Sequence, residues 1–257
     1  WVLPDGRILY TRWEYVDRSR VHFHHLWVMN PDGTSQMTIY GNSNPGDVYL
    51  DAKPVPDSSQ IVMVNSPNHG KPEHQGRIAL IRTDLGPDAL PAQKILNPGI
   101  NFRDPHPLSE DSILVAQENK LLLMNGGGET REIYRLSGEL AEGGTWLHEP
   151  QPLRPRRREP VIPPKVNLSD ATGQLVVGNI YQGRNMQGVR RGAIKKVLIL
   201  ENLPKPVNYT GSMDPISYGG SYTLNRVLGT VPVESDGSVN LKAPPLRSLQ
   251  LVALDEN

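Results

Sequence analysis

The sequence predicts an all-β chain, a partial β-propeller of about three blades followed by a β-sandwich-like domain, on three observations. Glycine and proline each number 24 in 257 residues, above ordinary usage, while helix-favouring runs of Ala, Glu, Lys and Leu are scarce. Similar units of β run and polar turn recur about every fifty residues, a period typical of propeller blades. After Pro152 this repeat breaks, and beyond a proline-rich passage come short apolar runs separated by Gly, Pro, Asn and Asp.

The repeats justify the blades in order. LWVMNPDGTSQMTIY (Leu26 to Tyr40) resembles LLLMNGGGETREIY (Leu121 to Tyr134): an apolar strand, a Gly-bearing turn and a second short strand. RIALIRTDLGPDALPAQKIL (Arg77 to Leu96) is a third member with a longer loop. Ahead of these lie DGRILYTR (Asp5 to Arg12), SSQIVMVN (Ser58 to Asn65) and EDSILVAQ (Glu110 to Gln117). A P-x-P element precedes the second and third units, Pro54-Val55-Pro56 and Pro105-His106-Pro107, and returns as Pro150-Gln151-Pro152. Each unit therefore has the make-up of a four-stranded antiparallel blade. Closed propellers have about four to eight blades, so about three predict a piece of a longer propeller or a partner that supplies the rest.

The basic, proline-rich LRPRRREPVIPPKV suits a semi-extended connector. It divides the chain into blades over residues 1–153, a linker over 154–165 and a sandwich-like domain over 166–257. In the last part, Asp236-Gly237 predicts a hairpin between Val231-Pro232-Val233 and Val239-Asn240-Leu241.

Composition removes several function classes. Acidic and basic residues number 27 each, which argues against nucleic acid or an anionic membrane as the main partner. The absence of cysteine excludes disulfides, thiolate nucleophiles, Cys-ligated zinc and covalently attached haem in these residues. No apolar run approaches the roughly 18 residues of a membrane span. The opening WVLPDGRILY has neither Met nor the regions of a signal peptide, and predicts a processed or partial product.

Three groups of residues have the types that binding chemistry needs. His22 and His24 share one face of a strand-like run, and His69 or His74 from the loop of the next unit would complete a divalent-metal set. The competing reading has these histidines bonding to backbone or packing across a blade interface. Arg184, Arg190 and Arg191 are suited to an anionic group such as a haem propionate, or equally to guarding an exposed hairpin edge. Ser66, His69 and various aspartates could be drawn into a hydrolytic triad, but no G-x-S-x-G elbow accompanies them. Gly126-Gly127-Gly128 lacks the Lys and Ser/Thr of a phosphate loop and falls where a hairpin turn is required.

Several passages carry a family resemblance: RILYTRWEYVDR, HFHHLWVMNPDGT, SPNHGKPEHQGRIALI, PHPLSEDSILVA, the block from Tyr181 to Gly237, and RSLQLVALDEN. Through them the chain resembles bacterial extracytoplasmic proteins related to the hydrazine synthase alpha subunit, in which a TolB-type propeller precedes a β-rich middle domain. The resemblance implies a periplasmic or extracellular redox protein whose relatives continue into a C-x-x-C-H haem-attachment motif beyond the segment matching ALDEN. Haem c is then expected downstream of this chain, and haem-bearing domains or other protein chains are its expected partners. This leads to a non-catalytic β scaffold that positions haem domains or partner subunits. The alternative is a propeller-based protein- or glycan-binding module with no redox role.

Overall fold

The computed structural model describes residues 1–14, 23–42, 46–183, 186–204 and 224–256. They form two compact units, Trp1–Val166 and Asn167–Asn257, and the chain is all-β with several sheets.

In the first unit, β1 (Ile8–Trp13), β2 (His24–Met29) and β3 (Met37–Tyr40) pair antiparallel. A second antiparallel set comprises β4 (Val48–Pro54), β5 (Gln60–Ser66), β6 (Gly76–Arg82) and the start of β7 (Gln93–Ser109). The rest of β7 begins a third set with β8 (Ser112–Gln117), β9 (Lys120–Met124) and β10 (Thr130–Arg135). One long strand thus ends one set and opens the next. A single parallel pairing, His24 with Val48, joins the first set to the second.

The runs predicted as β strands fall on β1, β5 and β8, and the two similar closing turns share one geometry. Asn30 and Thr34 close the first turn, with the Gly33 N–H donating to the Asn30 carbonyl. Asn125, Glu129 and Gly128 repeat the arrangement. Gly33 and Gly128 have φ of 80° and 82°, the left-handed conformation that a three-residue hairpin loop demands. At Gly128 the packing adds a second demand, because a Cβ would stand 1.8 Å from the Leu96 carbonyl oxygen.

Burial explains why the middle runs are continuously apolar and the outer ones alternate. Ile61 and Met63 of β5 and Ala79 and Ile81 of β6 face a core shared with Leu9, Leu26 and Val28 of the first set. Their neighbours Val62, Val64, Ile78 and Leu80 face a second core with Ile113, Val115, Leu122 and Met124 of the third set. The middle sheet is buried on both faces, so both strand faces must be apolar. β10 is exposed along its whole length and keeps polar residues.

The segment expected as a connector has defined contacts, and one other expectation needs correction. The segment 154–166 belongs to the first unit and packs back on it: the Lys165 N–H donates to Asp32 at 2.6 Å, and a Cβ on Gly6 would stand 2.4 Å from the Pro160 carbonyl. Asp32 also accepts from the N–H and hydroxyl of Thr34, and the three bonds hold its carboxyl at about 2. The segment is a strap fastened at the β2–β3 turn.

The hairpin expected around Asp236-Gly237 differs. Its turn closes, with the Glu234 N–H donating to Ser238 and the Gly237 N–H to Glu234. The flanking strands, however, pair elsewhere: β13 (Asn225–Pro232) with β12 (Lys196–Asn202), and β14 (Val239–Ala243) with β11 (Gly173–Val177). β15 (Leu249–Leu254) completes the β12 sheet. Val197 and Ile199 of one sheet and Val239, Leu241 and Ala243 of the other share a core, and burying that common apolar face outweighs hairpin pairing.

Met63 is fully buried in the core between the first two sets, so Met63→Ala is expected to destabilise by about 2–5 kcal/mol through transfer and cavity costs. Leu153→Ala, at a fully exposed position, is the matched control and should leave the urea midpoint unchanged.

Candidate functional site

The second and third strand sets break register at the same place. In β4, Leu50 faces Val64 and Lys53 faces Val62, so Asp51 and Ala52 together oppose one residue. In β7, Arg103 faces Ala116 and His106 faces Leu114, which leaves Asp104 and Pro105 opposite one residue. Each is a β-bulge, a device that bends a strand and re-aims a side chain. The bulges align Asp51-Ala52-Lys53-Pro54 with Asp104-Pro105-His106-Pro107, and the extended segment Glu149-Pro150-Gln151-Pro152 carries the same pattern. The P-x-P elements are therefore out of register: Pro54, not Pro56, matches Pro107 and Pro152.

The repeated element is an acidic residue three positions before a proline. Asp51, Asp104 and Glu149 have φ of 51°, 50° and 48°. A left-handed backbone at a non-glycine residue costs about 1 kcal/mol or more, and here it recurs at three equivalent positions. Its effect is convergence, since the three side chains bring ligand-capable oxygens within 4.8 Å of one another.

Three carboxylates so close repel unless compensated, and basic groups stand around them. Lys53, buried, lies 3.6 Å from Glu149 and donates to the Pro105 carbonyl at 3.0 Å. His148 Nδ1 is 3.1 Å from Asp104, and the Glu149 N–H donates to the same oxygen at 3.2 Å. His74 is 3.8 Å from Asp51. Arg103, fully buried, lies 4.0 Å from Asp104, stacks on Trp146 at 4.3 Å, and donates to the Glu118 and Leu147 carbonyls. Burial, then the Asp104 carboxylate, pushes the Asp51 carboxyl above its ordinary range; His74 and Lys53 pull it partly back.

Three oxygen donors suit a hard cation such as Ca²⁺ or Mg²⁺. Lys53 and Arg103 bring two fixed positive charges beside the three carboxylates, so the cluster is a partly charge-compensated hub between consecutive strand sets.

The sequence-predicted site residues distribute differently. His22 and Arg184 lie outside the described residues. His24 and His69 come together, ring centres 5.0 Å apart, both against Trp13. His74 is at the hub, beside Asp51. Arg191 donates to the Asp236 carbonyl at 3.2 Å and lies 6.0 Å from the Tyr181 ring, while Arg190 is exposed. Ser66 donates its hydroxyl to the Gln75 carbonyl and accepts from the Lys71 N–H.

A cavity of about 1290 Å³ opens beside the hub. Lys53, His106 and Gln151, each two residues past a hub carboxylate, line it with Trp1. The strap closes one side with Arg154, Arg156, Arg157 and Arg158. Trp1 meets the His106 ring edge-on at 5.8 Å, with Lys53 and Arg156 over its face at 5.4 and 5.6 Å.

No protein-family model matches the chain, and no curated protein matches it significantly. Among solved structures, a chain titled Kuenenia stuttgartiensis Hydrazine Synthase superposes on all of this chain with a TM-score of 0.70 and 18% sequence identity. The two share a fold across both compact units. This chain spans 39% of the length of that one.

A carboxyl whose folded pKa is raised costs stability above its unfolded pKa and nothing below it. Asp51→Asn is therefore expected to be more stable than the parent at pH 7 and to lose that advantage below 3.8, the ordinary carboxyl value. Urea unfolding at pH 7 and near pH 3 checks this; a net loss at pH 7 would mean that His74 and Lys53 outweigh burial.

Proposed function

We propose that this chain is a β scaffold of an extracytoplasmic redox assembly related to hydrazine synthase, and that it holds haem-bearing domains or partner subunits in fixed positions. The observation that carries this is the fold likeness over the full 257 residues, which stand for 39% of a longer chain. The residue-level resemblance read from the sequence points to the same protein. A chain without cysteine cannot anchor haem covalently, so haem c belongs to polypeptide outside these residues.

Three strand sets packed face to face, with equivalent residues converging on one point, support the reading of the first unit as propeller blades. Such an array suits a scaffold because both faces of its middle sheet are buried and its hub ties neighbouring sets by charge and hydrogen bonds. Among the described residues no helix is long and apolar enough to cross a membrane. A second reading, a protein- or glycan-binding module without redox function, is favoured by the cavity beside the hub.

Purification of the native protein through an antibody to this chain, followed by a pyridine haemochromogen spectrum and cross-linking mass spectrometry, separates the two. The scaffold reading expects c-type haem in the preparation and cross-links from this chain to haem-bearing polypeptide. A haem-free preparation would contradict it and leave the binding module.

A further inference from the structure

We propose that the cavity in the first unit binds a small polyanion through its carboxylate or phosphate groups. The cavity carries Lys53 and four arginines against two acids, Asp57 and Glu159. Lys53 is compensated by Glu149 at 3.6 Å, and Arg156 by Glu159 at 3.6 Å. Arg154, Arg157 and Arg158 have no carboxylate within 4.0 Å among the described residues. Three uncompensated guanidiniums within five positions repel one another, and an anion between them reverses the sign of that interaction.

The strap makes the arrangement more than a solvated basic run. Pro152, Pro155 and Pro160 restrict its backbone, and Asp32 pins its far end through the Lys165 N–H. Less freedom is therefore lost when a ligand orders the arginines, whose planar forks match carboxylate and phosphate oxygens.

The opposite wall adds to the positive field. The His106 ring lines the same cavity, with Trp1 against it at 5.8 Å. Burial, then Lys53 and Arg154, holds the His106 pKa below the ordinary value.

The test is isothermal titration of the 257-residue chain with pyrophosphate and, separately, with citrate, at constant ionic strength set by sodium chloride. Saturable one-site binding of at least one probe is expected, and the two probes tell phosphate from carboxylate selectivity. Arg157→Gln combined with Arg158→Gln should weaken it about tenfold or more, from loss of charge-assisted bonds. Both residues are exposed, and an unchanged circular dichroism spectrum establishes that the variant is folded. Arg190→Gln combined with Arg191→Gln, in the second unit, should leave binding unchanged. Absence of saturable binding, an unaffected strap variant, or equal weakening by the two double variants would overturn the proposal.

Discussion

Bringing three carboxylates within 4.8 Å of one another is the constraint around which the first unit is built. Left uncompensated, the arrangement would repel; Lys53 and Arg103 offset that repulsion, and hydrogen bonds from His148 and the Glu149 N–H to Asp104 cross between strand sets. The compensation crosses from set to set. Lys53 lies in β4 but reaches Pro105 in β7 and Glu149 beyond β10, while Arg103 in β7 reaches the Leu147 carbonyl. Apolar cores hold the sheets face to face, and the polar hub fixes where along the strands they meet.

The backbone contributes as much as the charges. Each hub carboxylate sits on a residue in left-handed conformation, and in β4 and β7 that residue is part of a bulge. Asp tolerates this conformation better than a β-branched residue would, which reconciles the local strain with a side chain that serves the hub. Past the bulge, Lys53, His106 and Gln151 turn towards the cavity. One local device thus organises two neighbouring features, the charged hub and the cationic cavity.

The strands were legible in the sequence because burial leaves a period. Ile61 to Val64 and Ile78 to Ile81 are continuous since both faces of the middle sheet are covered, and β14 alternates since only one of its faces is. The hub was not legible. The P-x-P motif sets Pro54-Val55-Pro56 two positions out of register, and the informative signal, an acidic residue three before a proline, lies beside it. The histidine set divided because strand parity shows which side chains share a face, but not that the loop holding His74 turns towards Asp51 while His69 meets Trp13. Asp236-Gly237 predicted a turn correctly, yet a turn dipeptide does not specify the partners of its flanking strands.

Because the chain has no cysteine, the convergence of the hub can be measured directly. Asp51→Cys combined with Glu149→Cys places the only two thiols 98 positions apart in sequence, at sites whose native carboxylate oxygens approach within 4.8 Å. Treatment of the dilute, folded variant with a short bifunctional maleimide, followed by peptide mass spectrometry, should give one intramolecular 51–149 bridge in high yield. Singly modified chains without that bridge would contradict the convergence on which this account rests.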